Sequence, residues 1–255
     1  MRRVVVGFSG GVSSAWCAGW ALRNFPRDEV VLLFNDTKEE DPDTYRFIRE
    51  MSAALAHPIT EKSDGRSVTE VFEDEGALAN DRMAFCSRIL KTEPRDAYFK
   101  ELRAEQRRHA LDTGDWAPLE IVLVLGFSAS EEKRVQRAAG RAERDGYAVR
   151  FPMIEEKVSK QATVDWCLSK GVRPSSQYEW SDHANCVGCA RGGRAYWLAV
   201  AEHRPEVFAQ RAALERKFGH TFITGISLER LVQVGLKRPV ARRESIEIGP
   251  CDCGD

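Results

Sequence analysis

A chain of 255 residues, 43% apolar and 30% charged, is long enough for one large or two modest domains with a proper core. Its 38 basic and 39 acidic residues give a formal net charge of -1, which excludes a general polyanion-binding surface and leaves only local basic patches. VVVGF, after Arg2 and Arg3, is too short for a secretory leader, and no apolar run approaches the ~20 residues that cross a bilayer, so a cytoplasmic protein without a membrane partner is expected.

Residues 3–8 form a branched apolar run that reads as a buried strand. It stops at the small and hydroxylic turn GFSGGVSSA, residues 7–15, which passes directly into the helix-like WCAGWALRNF. Further buried strands are expected over 30–35 and 120–126, and helical spacing of apolar residues marks 41–56, 93–109 and 130–144. VRFPMI reads as another strand and KQATVDWCLSKGV as another helix, stopped by Gly171. Strands alternating with helices predict an α/β fold, a doubly wound parallel sheet with helices on both faces. From about Arg173 the texture changes: RPSSQYEWSDHANCVGCARGG is rich in turn formers, and helix then returns around Pro205 in AYWLAVAEHRPEVFAQRAALERKFG. The expected organisation is a sheet domain over 1–172 with a small cysteine-containing helical segment over 173–255 packed on it.

A glycine-rich turn at the carboxyl end of a first strand, feeding a helix, presents backbone N–H groups and the positive end of the helix dipole to an anion, phosphate by default. Gly10 and Gly11 allow close backbone approach and positive φ, while Ser9, Ser13 and Ser14 can add hydroxyl donors. The loop has neither the Gly-Lys-Ser/Thr of a Walker A loop nor G-x-G-x-x-G. The plainer alternative is a tight turn whose serines only cap the helix.

Seven cysteines, at 17, 86, 167, 186, 189, 251 and 253, are an odd count for a disulfide framework and point instead to metal or redox chemistry. Cys186 and Cys189 form a C-x-x-C in the turn-rich segment, a spacing that lets both sulfurs converge on one ion or cluster. The tail GPCDCGD offers Cys251 or Cys253 as a further ligand, with His183 a weaker candidate; Cys17 and Cys167 sit in amphipathic helices and are expected in the core. KRPVARR, residues 237–243, is where a nucleic-acid partner would first be sought, a solvated segment being the equal alternative.

FSGGVSSA resembles the pyrophosphate-binding loop, S-G-G-x-x-S, of the adenine nucleotide alpha-hydrolase (PP-loop) superfamily, which includes ATP pyrophosphatases and the phosphoadenosine phosphosulfate reductases. FNDTKEEDPDTYRFI is similar to the reductases' F-x-D-T-G-x-E-x-x-x-T-y stretch, with Lys38 where glycine is usual. CSRILKTEP resembles the C-C-x-x-R-K-V-x-P segment of cluster-containing adenosine phosphosulfate reductases, with Cys86 on the first cysteine, Ser87 on the second, Lys91 on the lysine and Pro94 on the proline. LGFSASEEKRVQR is similar to G-x-R-x-x-E-S-x-x-R: Gly126, Glu131 and Arg134 match, and Ser128 replaces the first arginine. HANCVGCARGGRAYW resembles the C-x-x-C and glycine-aromatic segment of reductase-like proteins. These motifs follow one another in the family's order over most of the chain.

The resemblance implies a nucleotide-binding domain over 1–172 and a phosphoadenosine phosphosulfate reductase-like enzyme acting on an adenylyl nucleotide, ATP or adenylyl sulfate, in sulfur chemistry. Phosphates would lie on Ser9, Gly10, Gly11, Ser13 and Ser14, with Asp36 and Thr37 beside the adenosine, Gly126 and Glu131 on the neighbouring element, and Lys91 and Arg134 toward phosphate or sulfate oxygens. It further implies a 4Fe-4S cluster on Cys86, Cys186, Cys189 and Cys251, or zinc as the alternative, and Cys253, in a loose E-C-G-type match, as a tail nucleophile. A thiol or redox protein is the expected electron or sulfur donor. ATP pyrophosphatases usually carry S-G-G-x-D-S, whose acid suits magnesium; Ser13 in its place leaves magnesium open and shifts weight toward the reductase branch. The alternatives are an ATP-dependent sulfurtransferase modifying tRNA or DNA, and a nucleotide-binding protein with a structural zinc.

Overall fold

Alternation of branched apolar residues decides which side of the sheet each layer of helices covers. In the computed structural model, which describes residues 1–235 and 246–248, five strands form one parallel sheet: β1 (Arg2–Gly7), β2 (Val30–Asp36), β3 (Ile59–Ser63), β4 (Glu120–Val124) and β5 (Ala148–Arg150), in the order β3-β2-β1-β4-β5. Val4 lies beside Val30 on one side and Val122 on the other, and all four pairings are parallel. The helices are α1 (Val12–Asn24), α2 (Pro42–Ala54), α3 (Val68–Glu75), α4 (Phe85–Ser87), α5 (Glu93–Thr113), α6 (Glu132–Asp145), α7 (Pro152–Glu155), α8 (Lys160–Ser169), α9 (Arg194–His203), α10 (Pro205–Phe218) and α11 (Leu228–Val234).

Val4, Val6, Leu32, Phe34, Val122 and Val124 face α1, α2, α7 and α8, whereas Val5, Leu33, Ile121 and Leu123 face α5 and α6. The fold is therefore α/β and doubly wound, as expected. The chain lays down β2 and β3 on one side of β1 and then crosses to β4, so the strand order reverses between β1 and β4. A ligand crevice opens at such a point, beyond the carboxyl ends of the strands. A third core joins Val71 and Phe72 of α3, Ile89 and Leu90, Trp180, Trp197 of α9, Leu214 of α10 and Leu231 of α11. The C-terminal helices thus close over residues 68–90.

Three elements lack a strong sequence signal. β3 is a half-exposed edge strand, α11 is short, and α3 is announced by a capping box in which Ser67 and Glu70 cap each other's backbone. The strand expected over VRFPMI ends at Arg150, because Pro152 has no N–H for a ladder and instead starts α7. α8 ends at Ser169, just before Gly171 turns with φ 73°. α8 packs tightly on α1: a Cβ at Gly19 would stand 2.3 Å from the Trp166 ring.

Candidate functional site

The first turn is shaped by contacts that only glycine permits. Gly10 has φ +75°, and a Cβ there would meet Thr44 Cγ2 at 2.5 Å; a Cβ at Gly126 would lie 2.9 Å from the carbonyl carbon and oxygen of Ser13. The backbone after β4 therefore touches the first turn of α1, bringing Gly126 to Ser13 and Ser14. Ser14 Oγ donates to Gly11 O (2.8 Å) and accepts from Ser9 N (3.1 Å), so Ser14 braces the loop rather than facing outward. Gly11 is the N-cap of α1 and, as glycine, has no side chain to cap the helix, so the positive end of the dipole is open to an anion apart from the Tyr178 hydroxyl. Val12 N–H donates to the Tyr178 hydroxyl (3.2 Å), and a Cβ at Gly11 would be 3.0 Å from that oxygen.

At the end of β2, Asp36 and Thr37 are buried and already bonded within the protein. Asp36 accepts from Tyr45 Oη (2.7 Å) and Lys38 N (2.9 Å) and pairs with Lys38 Nζ at 2.9 Å. Burial works to raise the Asp36 pKa, but the Lys38 and Tyr45 hydrogen bonds and the Lys38 charge outweigh it and hold the carboxyl below its usual range. Lys38 has φ 62°, the left-handed region, which explains why glycine suits this position; the Asp36 bonds hold the lysine there.

The next three acids tie the sheet to the C-terminal segment. Glu39 pairs with fully buried Arg211 and accepts from Thr69 N (2.9 Å), Asp41 caps α2 and pairs with Arg204 (2.7 Å), and Glu40 reaches Lys91 at 3.6 Å. Thr37 Oγ1 donates to Glu40 Oε1 (3.0 Å) and lies 3.1 Å from Cys186 Sγ; Glu40 Oε2 is buried without a hydrogen-bond partner. None of these long-range partners could be read from local spacing.

Cys86, Cys186 and Cys189 gather around Lys91. Burial opposes the lysine's charge, but the negative charge of Cys186, Glu40, Cys189 and Cys86 raises its pKa above the usual value. Burial and the neighbouring Cys189 push the Cys86 thiol up to about 11, and burial and Glu40 push Cys186 up as well. As donors the three thiols suit a soft metal or cluster, yet among the described residues no group of three or more His, Cys, Asp or Glu side chains is arranged to hold an ion. Cys251, Cys253 and the KRPVARR stretch lie outside the described residues. Cys17 and Cys167 are core residues.

Glu131 and Arg134 lie beyond β4. Glu131 accepts from Ser128 N (2.9 Å) and pairs with Arg134, whose guanidinium sits 4.2 Å above the Phe127 ring and is largely exposed. Two further residues escaped the sequence reading. Tyr178 roofs the α1 loop, and buried Lys160, at the start of α8, lies 5.7 Å from the Tyr178 ring and donates to Asp182 O. Lys160 Nζ is 3.4 Å from His183 Nδ1; burial and the Lys160 charge hold the His183 pKa below its usual value. Ser159, which caps α8, was the local signal placing Lys160 on a first turn, but nothing nearby in sequence links it to the loop.

Residues 3–110 match the phosphoadenosine phosphosulfate reductase domain. A solved structure, phosphoadenylyl-sulfate (PAPS) reductase from Candida auris in its phosphate complex, aligns at 21% identity with a TM-score of 0.34, over 51% of this chain and 55% of that one. The chain thus spans little more than half the length of that reductase, and no curated protein matches. Residues 3–110, which carry the α1 loop and the Asp36 turn, are thus similar to the phosphoadenosine phosphosulfate reductase domain.

Proposed function

We propose that the protein binds an adenylyl nucleotide across the carboxyl ends of β1 and β4 and acts in sulfonucleotide chemistry as a phosphoadenosine phosphosulfate reductase-like enzyme. The observation that carries this reading is the glycine-built amino end of α1, which has no N-cap side chain and is shaped by Gly10 and Gly126, within a stretch similar to the phosphoadenosine phosphosulfate reductase domain. The first turn of α1 holds no acidic residue for magnesium, which favours a sulfonucleotide over a pyrophosphatase substrate.

On this reading the Cys253 thiolate attacks the sulfur of adenylyl sulfate, the bond from sulfur to the bridging oxygen breaks, and the adenylyl phosphate leaves with the bonding pair. The cysteine then carries an S-sulfonate. A second thiolate, from a thiol or redox protein, attacks the cysteine sulfur, forms a disulfide and releases sulfite. Lys91 and Arg134 offer cations to the developing phosphate charge. Cys86, Cys186 and Cys189, with Cys251, would hold a 4Fe-4S cluster or zinc, which supplies electrostatic or structural support beside Lys91 when bound.

The test is sulfite release from adenylyl sulfate with a dithiol donor. Cys253→Ser is expected to abolish it; undiminished release would overturn the tail mechanism. Pyrophosphate release from ATP only when nucleic acid is present would replace the reading with sulfur transfer. A brown anaerobic preparation with a band near ~400 nm reports the cluster, and stoichiometric zinc in a colourless one overturns it.

A further inference from the structure

A C-x-x-C serves either metal ligation or dithiol chemistry, and what closes the turn between its sulfurs bears on the choice. Val187 and Gly188 are the central residues of a turn from Cys186 to Cys189, and Gly188 takes φ 76° there. Such a turn keeps its first and fourth Cα atoms within about 7 Å, close to the span that a disulfide bridges. Tyr196 closes it: its hydroxyl accepts from Gly188 N (2.9 Å) and Cys189 N (3.2 Å) and donates to Cys186 O (3.0 Å). From another side, buried Arg211 donates through Nε to Gly188 O (3.3 Å), and a Cβ at Gly188 would stand 2.9 Å from Val207 Cγ1. The two cysteines are therefore drawn together by a hydroxyl and a guanidinium, with no ion needed to form the turn. Their access differs. Cys186 is 8% exposed, lies 3.1 Å from Thr37 Oγ1 and donates to Glu40 Oε1 (3.6 Å), whereas Cys189 is half-buried. An accessible thiol next to a buried one, both free, suits stepwise exchange with a disulfide, because only the first has to meet the partner.

We propose that Cys186 and Cys189 are a dithiol–disulfide redox pair, with Cys189 as the entry thiol, Cys186 as the resolving thiol and a low-molecular-weight disulfide as the oxidant. In the first step the Cys189 sulfur attacks one sulfur of that disulfide; its S–S bond breaks, a mixed disulfide forms on Cys189, and the first thiolate leaves with the bonding pair. In the second the Cys186 sulfur attacks the Cys189 sulfur, the Cys186–Cys189 bond forms, and the second thiolate leaves. Each departing thiolate takes up the proton that the attacking thiol gives up, so two protein thiols are oxidised and one disulfide is reduced to two thiols. A dithiol reverses both steps. The proposal does not rest on the nucleotide reading. It competes with metal ligation for the same sulfurs, and among the described residues no three such side chains are arranged to hold an ion.

The experiment exposes the full chain, purified anaerobically, to glutathione disulfide, blocks the remaining thiols by alkylation and maps the cysteine peptides by mass spectrometry, with iron and zinc measured on the same sample. The expected result is the loss of two thiols as a Cys186–Cys189 link, both regained on adding dithiothreitol, with neither metal at stoichiometry. Cys186→Ser is expected to stop at a glutathione adduct on Cys189, and Cys189→Ser to leave Cys186 reduced. Cys86→Ser should form the link as the wild type does. A link from Cys189 to Cys86, no link under this oxidant, or no adduct on Cys189 in a folded Cys186→Ser variant would each overturn the pair. Stoichiometric iron or zinc that shields both thiols from the oxidant would overturn it in favour of metal ligation. The wild-type map decides the matter even where a variant does not fold.

Discussion

Gly126→Ala probes the contact that shapes the α1 loop, the proposed nucleotide site. The added methyl would stand 2.9 Å from the carbonyl carbon and oxygen of Ser13 and 3.1 Å from Ser14 N. These are backbone atoms in the first turn of a helix, so no side-chain rotation relieves the clash, and either β4 or α1 must shift by a few tenths of an ångström. Overpacking of this kind costs about 1–3 kcal/mol. At roughly 2–4 °C per kcal/mol for a chain of this size, the melting temperature falls by about 2–12 °C. The amides of Ser13 and Ser14 move with the helix end, and misplacing two donors lowers nucleotide affinity by about tenfold, ~1.4 kcal/mol. Gly140→Ala is the matched control: in the middle of α6 its methyl meets only Arg144 Nη1, at 3.8 Å, and it gains up to ~1 kcal/mol of helix propensity. Calorimetric melting and nucleotide titration of both variants check the reasoning. If Gly126→Ala melts and binds like the wild type, the approach of the β4 loop to α1 does not set the geometry of the site.

Arg211→Met leaves Glu39 without its buried cation and is expected to cost about 3–5 kcal/mol in urea unfolding, largely restored in the double variant with Glu39→Gln; a loss under ~1 kcal/mol would refute the role of this pair in holding α10 to the sheet. Burial pushes the thiols of Cys17 and Cys167 up to about 12, the nearby Glu155 adding to the shift at Cys17, so their contribution is full below about pH 9, the usual thiol value, and is lost as pH rises toward 12. The double variant Cys17→Ala/Cys167→Ala should therefore show a shallower fall of stability between pH 9 and 12, and an unchanged slope counts against it. Gly19→Ala, whose methyl would press on the Trp166 ring, should lower the melting temperature; an unchanged melting temperature would refute the close packing of α8 on α1.

The sheet was legible because parallel strands buried on both faces must be continuously apolar, and β1, β2 and β4 are. β3 was not: ITEKS sits at an edge, half exposed, and pairs with β2 through backbone groups that leave little trace in side-chain pattern. The α1 loop was legible for a local reason, since a φ of +75° at Gly10 and an open helix end are written in consecutive residues. Lys38 shows the limit of such reading, because a left-handed backbone carried by lysine depends on the Asp36 carboxylate that receives it.

Chain order and turn chemistry thus determined by themselves that an α/β sheet places a glycine loop at the open amino end of α1. Which buried charges meet which partners was decided only in three dimensions. Glu39 meets Arg211, Glu40 meets Lys91 and Cys186, and Lys160 comes beside Tyr178, which roofs the loop, across separations of tens to more than a hundred residues. The physical reason is range: a turn needs only its own residues to satisfy its backbone, whereas a buried charge is stable only where the whole fold brings it a partner.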